Sequence, residues 1–209
     1  MLKGRKKEIL ACLEETYGGM ETALHYESPF ELLVAVILSA QCTDERVNKI
    51  TARIFPRYAS PQKMAGLTQE QMEEMIRDCG LFRAKAKNIL STCQRLLENF
   101  NGEVPSSIED LMTLPGVGKK TANVIASVVF NVPAIAVDTH VFRVSHRLAL
   151  SCGKDPLAVE KDLMKTIPRE KWGEAHHWLI WHGRKLCKAR KPLCPDCPLA
   201  ELCTYEDKQ

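Results

Sequence analysis

The chain has 209 residues, 45% of them hydrophobic and 26% charged, which is the composition of an ordinary globular protein and enough for one domain or two small ones. Formal net charge is only +3, so any case for a polyanionic partner rests on where the basic residues sit. The apolar run Leu32–Ala40 is too short to cross a bilayer, and the start MLKGRKKEILACLEE lacks the apolar core of a signal peptide. The expectation is a cytoplasmic protein, nucleoid-associated if bacterial, with no membrane partner.

Helix-start signals recur along the chain. Ser28-Pro29-Phe30-Glu31 reads as a capping box with Pro at the first helical position, opening ELLVAVILSA. Val47, Ile50 and Ile54 hold helical spacing after it. Thr68-Gln69-Glu70-Gln71 repeats the box before MEEMIRDCG, where Gly80 is expected to supply the stop. Ile89, Cys93, Leu96 and Leu97 continue the helical period, and Ser106-Ser107-Ile108-Glu109 forms another box before DLMTL. Asp155-Pro156 opens LAVEKDLMKTI. Strict alternation over several residues is missing, so the chain reads as all-α, with about ten short helices joined by tight connections.

Residues 112–123, MTLPGVGKKTAN, look at first like a nucleotide-binding loop. Aligning Gly118-Lys119 to G-x-x-x-x-G-K-[ST] puts Thr113 where the first Gly belongs and Lys120 where the hydroxyl belongs, and the preceding segment reads as a helix rather than a strand. That reading fails. What remains is helix, then Leu-Pro-Gly-Val-Gly, then the helix KKTANVIASVVF, whose apolar stripe is predicted at positions 122, 125, 128 and 129. A turn through Gly116, Val117 and Gly118 presents backbone N–H groups at a helix N-terminus, where a nucleic-acid phosphate is favoured. An ordinary corner between two helices fits the same residues. Lys119 and Lys120 follow at once. An ammonium in the first helical turn opposes the dipole, and a neighbouring ammonium opposes it further, which favours a neutral amine able to form a Schiff base. Two solvated lysines assisting DNA binding is the other reading. Downstream, Asp138 in AVDTHVF reads as a helix cap, or as a carboxylate that stabilises positive charge or moves a proton.

The nine cysteines divide into two sets. Cys12, Cys42, Cys79, Cys93 and Cys152 are scattered and read as small buried hydrophobes. Cys187, Cys194, Cys197 and Cys203 form C-x6-C-x2-C-x5-C, four thiolates within 17 residues that can converge on one metal centre. Zinc and a [4Fe–4S] cluster both accept this set. Arg184, Lys185, Lys188, Arg190 and Lys191 crowd the first ligand, as a solvated charge run or a metal-braced DNA-backbone contact. The six histidines form no ligand set by spacing; His140, His176 and His177 read as packing or capping residues, and Trp172, Trp178 and Trp181 as core.

Taken together, LPGVGKKTA, VDTHV and the cysteine spacing resemble the endonuclease III family of DNA glycosylases, in the helix-hairpin-helix superfamily. LLVAVILSAQCTD, GLFRAKAKNI and HHWLIWHGRKLC extend the resemblance over nearly the whole chain. It implies a bifunctional glycosylase and abasic-site lyase of base excision repair, acting on oxidised pyrimidines. Lys120 matches the family's Schiff-base nucleophile and Asp138 its catalytic aspartate, while the four cysteines match the ligands of its [4Fe–4S] cluster. Gln41 and Leu81 match residues that fill the space left by an extruded nucleotide. The implied fold has a six-helix barrel over 22–132 and a cluster domain made from 1–21 and 133–209, with the active site in the cleft between them. The implied partner is double-stranded DNA carrying damaged bases or abasic sites, met by a monomer. The adenine-mismatch branch of the superfamily fits less well, because it lacks the lysine and carries a carboxylate in the helix matching 32–38, where this chain has none. A non-enzymatic, metal-braced DNA-binding module predicts affinity without turnover.

Overall fold

The computed structural model describes residues 2–207. Its regular elements are eleven α-helices and one 3-10 turn, with no strand among the described residues. The chain divides into two compact units, Thr22–Phe130 and Met1–Glu21 with Asn131–Gln209.

The unit Thr22–Phe130 holds α2 (Pro29–Ser39), α3 (Asp44–Tyr58), α4 (Pro61–Ala65), α5 (Gln69–Met75), α6 (Phe82–Asn99), α7 (Ile108–Leu111) and α8 (Lys119–Phe130). Helix α2 is its axis. Residues 30–38 are all buried, because FELLVAVIL offers no polar face, and α3, α6 and α8 pack around it. Burying each large aliphatic side chain stabilises the unit by about 1.5–3 kcal/mol. The one acid in that run, Glu31, is satisfied at the helix start. Ser28 accepts the Glu31 N–H, and the Glu31 carboxylate accepts the Glu27 N–H at 2.6 Å, one residue before the usual capping-box partner.

Thr68 and Gln71 complete a full capping box. Two expectations shift. Helix α5 ends at Met75 rather than Gly80, and Leu81, not the glycine, takes the left-handed conformation that follows (φ 59°). The cap of α7 is Ser107 rather than Ser106, since its hydroxyl accepts the Asp110 N–H at 3.1 Å. In α8 the buried face is Ala122, Asn123, Ile125 and Ala126, whereas Val128 and Val129 are only partly buried. Helical spacing places 123 and 126 with 122, so a polar Asn shares the inner stripe.

The other unit holds α1 (Leu2–Tyr17), α9 (Thr139–Arg147), α10 (Pro156–Thr166), the 3-10 turn Arg169–Lys171 and α11 (Trp172–Lys185). Ile9, Leu13 and Tyr17 of α1 recur every four residues and meet Val141, Val144, Leu163, Trp178 and Leu179 in one core. Gly183 permits the α9–α11 crossing, because a Cβ there would lie 3.1 Å from His140 and Val144 side-chain atoms. The segment 131–137, without regular secondary structure, supplies Ile135 and Val137 to the core, and its Ala136 carbonyl meets His176 Nδ1 at 2.7 Å. Arg5 and Lys6 tie α1 to the carbonyls of Leu148, Leu150 and Leu202.

Trp178 is a core residue, while Trp172 and Trp181 are partly buried and donate to the carbonyls of Ile167 and Glu21. Cys79 and Cys93 are buried and Cys12 and Cys42 half-buried; Cys152 is exposed, contrary to expectation, on the loop before α10. Among the described residues, no helix is long and apolar enough to cross a membrane.

Candidate functional site

Between α7 and α8 the chain turns through Pro115, Gly116, Val117 and Gly118. Gly116 is left-handed (φ 79°), and a Cβ there would meet the Asn88 side chain at 2.8–3.1 Å. Both facts require glycine. Thr92 and Arg95 of α6 hold the carbonyls of Pro115 and Thr113 at 2.9 and 2.5 Å, so the turn is pinned from beneath. Val117 points inward at 6% exposure and its N–H bonds the Leu114 carbonyl at 3.1 Å. The residue between the two glycines is thus an anchor. Gly118 faces open space, with nothing within 4 Å of a Cβ position. Lys119 and Lys120 follow as the first residues of α8, both exposed, and no acid shares their helical turn.

Asp138 caps α9. Its Oδ1 accepts the N–H groups of both His140 and Val141 at 2.8 Å. The cap engages one carboxylate oxygen, which leaves the second outside it. Burial, then the Arg143 and Arg184 cations, lower the His140 pKa against the opposing charge of Asp138.

Gln41 and Leu81 are both exposed and both left-handed (φ 53° and 59°). Leu81 is 58% exposed and starts α6 without a side-chain cap bond. A branched apolar residue in that conformation costs roughly 1–2 kcal/mol, so neither its burial nor its backbone preference explains it.

Cys187, Cys194, Cys197 and Cys203 line one pocket, together with Arg147, Leu148, His182, Leu186, Pro192 and Tyr205 among others. Among the described residues, no three His, Cys, Asp or Glu groups are gathered as ligands of a single ion. Tetrahedral zinc at about 2.3 Å from each sulfur would require thiolates much closer together than a cluster that binds each one through a different iron. Four cysteine sulfurs lining one pocket are the donor set of that cluster. Burial pushes the Cys197 thiol up, and Cys203, Cys187 and Cys194 push it the same way, so four thiolates here need a compensating cation.

Residues that sequence reasoning passed over surround this pocket. Arg147 donates to the Lys188 and Ala189 carbonyls at 2.7 and 3.2 Å, and its own carbonyl accepts from Cys203 Sγ at 3.3 Å. His182 lies 3.7 Å from Cys197 Sγ through Nε2 and 3.2 Å from the Tyr17 hydroxyl through Nδ1, and burial holds its pKa down at about 4. The only sequence signals were a basic residue in the last turn of α9 and a histidine on the inner face of α11. Lys188, Arg190 and Lys191 are exposed on the loop, and Arg184 lies half-buried with its guanidinium 5.6 Å from the Trp181 ring centre.

A pinned helix-turn-helix with an open glycine, in an all-α chain that ends in a four-cysteine pocket, defines a class. Residues 34–169 match the family described as HhH-GPD superfamily base excision DNA repair protein, and residues 187–203 match the iron–sulfur binding domain of endonuclease III. The chain is 50% identical to endonuclease III of Synechocystis sp. over 96% of its length and 92% of that protein's. It is 48% identical to endonuclease III of Escherichia coli K12, with 100% and 99% of the two chains covered. A solved structure of a trapped endonuclease III–DNA covalent intermediate superposes with a TM-score of 0.93, at 50% identity over 97% of this chain and 95% of that one. The chain belongs to the endonuclease III family, whose members are DNA glycosylases and abasic-site lyases, and it carries that family's [4Fe–4S] binding domain.

Proposed function

We propose that this protein removes oxidised pyrimidines from duplex DNA and then cuts the strand 3′ to the lesion, with Lys120 as nucleophile. The observation that carries this is an exposed lysine at the start of α8, two residues after Gly118, whose Cβ position faces open space. The covalent DNA complex solved for a protein 50% identical supports it.

A damaged base must leave the stack before its glycosidic bond is accessible. Gln41 and Leu81 enter the duplex in its place. Gly116 to Gly118 and Lys119 hold the phosphates at the helix N-terminus, Val117 by anchoring the turn. Arg184, Lys188, Arg190 and Lys191 add backbone contacts without reading sequence. The neutral amine of Lys120 attacks C1′ as the C1′–N bond breaks and the base departs with its electron pair. Opening of the sugar ring gives an imine. Loss of a C2′ proton then expels the 3′ phosphate by β-elimination, and water releases the enzyme. Asp138 supplies negative charge beside the oxocarbenium-like sugar or takes the proton that the lysine sheds as it attacks.

Cys187, Cys194, Cys197 and Cys203 would hold the [4Fe–4S] cluster and through it would brace the basic loop. Double-stranded DNA is the partner, met by a monomer in the cytoplasm.

Borohydride trapping on an abasic-site duplex tests the reading. Wild-type protein should crosslink and Lys120→Ala should not. A wild-type protein that fails to crosslink, or undiminished crosslinking by the variant, overturns it. A panel of defined damaged duplexes then reads the lesion class.

A further inference from the structure

We propose that Lys85 is a positioning residue that locks Gln41 and Leu81 into one rigid wedge for entering the duplex. The inference rests on the assignment of those two residues as the groups that enter DNA.

Lys85 is a lysine in an unusual place. It lies on the inner face of α6 with 4% of its surface exposed. Its Nζ donates to the carbonyls of Leu38 and Ala40 at 2.8 and 2.5 Å and lies 3.1 Å from Cys79 Sγ. Three partners match the three protons of an ammonium. Both carbonyls belong to the C-terminal end of α2, the negative end of the helix dipole, so the site suits a cation without a carboxylate.

The geometry joins two loops through one residue. Ala40 directly precedes Gln41, so the ammonium grips the peptide from which Gln41 projects. The backbone N–H of the same Lys85 bonds the Leu81 carbonyl at 3.1 Å. Between them, a Cβ on Gly80 would lie 3.4 Å from the Gln41 carbonyl, and Cys79 Sγ reaches the Leu38 carbonyl at 3.2 Å. The two left-handed residues are therefore braced from a common point.

A plain helix stop would not need this. Helix ends commonly use glycine in the left-handed position after the cap, at almost no cost. Here that position is Gln41, which closes a turn bonded from the Cys42 N–H to the Ser39 carbonyl at 3.1 Å, and its counterpart across the contact is Leu81, whose conformation no side-chain cap bond repays. Strained residues persist where the surroundings over-determine them, and a wedge must not yield as it parts stacked bases.

The test compares trapping rates on an abasic-site duplex and on the same abasic strand without its complement, where no stack has to be opened. The proteins are wild type, Lys85→Met, Lys85→Gln, Gln41→Ala and Leu81→Ala, each checked for folding by circular dichroism. Lys85→Met should lose about tenfold to a hundredfold on the duplex, as misplacement by an ångström does, and match wild type on the single strand. Lys85→Gln, which keeps a donor for one carbonyl, should fall between. Equal losses on both substrates make Lys85 merely structural and overturn the proposal, as does a duplex rate equal to wild type. If neither Lys85 variant folds, the proposal is likewise overturned. Unchanged duplex trapping by Gln41→Ala and Leu81→Ala overturns the wedge assignment, and the proposal with it. Absence of wild-type trapping on both substrates instead strikes at the assignment of Lys120.

Discussion

Arg147 lies with its guanidinium 4.1 Å from the ring centre of Tyr205 and donates to that residue's hydroxyl at 3.2 Å. The same side chain holds the Lys188 and Ala189 carbonyls, so it clasps both ends of the cysteine loop against the end of α9. Several charge-assisted bonds and a cation–π contact converge on one group. Arg147→Ala should lower unfolding free energy by about 2–3 kcal/mol and speed loss of the cluster to a chelator. Visible absorbance and iron content check this; retention equal to wild type would show that the clasp does not hold the loop.

Asp138 is both a cap and a proposed catalytic group, and substitution separates the two. Asparagine caps helices as well as aspartate, whereas alanine loses about 1 kcal/mol of cap energy. Asp138→Asn should melt with wild type yet lose base-removal activity, and Asp138→Ala should lose both. An active Asn variant would confine Asp138 to capping.

Gly116→Ala places a Cβ 2.8 Å from Asn88 Nδ2 in a left-handed conformation. The conformation costs about 1 kcal/mol and the clash adds to it. Abasic-duplex affinity should fall, measured by fluorescence anisotropy. Adding Asn88→Ala should recover part of the loss, because it removes the Nδ2 and Cγ contacts but leaves the Cβ contact at 3.0 Å and the strain.

Removing the cluster's anchor has a distinct signature. Cys187→Ser should yield protein with depleted iron and lost visible absorbance. The helices of Thr22–Phe130 should keep their circular dichroism, since that compact unit contains none of the four cysteines. Undiminished iron content would remove Cys187 from the ligand set.

His177 adds a pH dependence. Its pKa is lowered from 6.5, first by burial and then by the Arg184 cation, against Glu21. The fold therefore favours the neutral ring. Its contribution is complete above 6.5 and is lost as pH falls from 6.5 towards the lower folded value, because there only the unfolded chain takes the proton. Thermal melts from pH 7.5 downward should show this slope, and His177→Gln should reduce it, leaving the part that His140 and His182 contribute with the same sign.

Much of this protein is written locally. Ser28, Thr68, Asp138 and Asp155 cap helices where the sequence places them, because a cap needs only its own next three residues. Lys119–Phe130 begins and ends as its sequence indicates, and the four cysteines are visible as a set by spacing alone. Local rules mislead where a neighbour intervenes. Gly80 reads as the natural stop for α5, but the helix ends five residues earlier, at Met75, and Leu81 takes the left-handed conformation. Asn123 joins the inner stripe of α8, and Val117 turns inward between two glycines.

Lys85 marks the boundary most sharply. Nothing within its sequence context, RAKAK, puts it inside, and only the arrival of α2's last carbonyls, 45 and 47 residues away in sequence, makes it a buried brace. Arg147 is the same case, with partners 41 and 42 residues away. Sequence alone determined most of the helix starts, the glycine turn with its lysines and the cysteine set, since each depends on spacing within a few residues. Which cations are buried, and which loops they lock, was decided only by the tertiary structure, because a charge leaves water only where distant backbone groups replace its hydration.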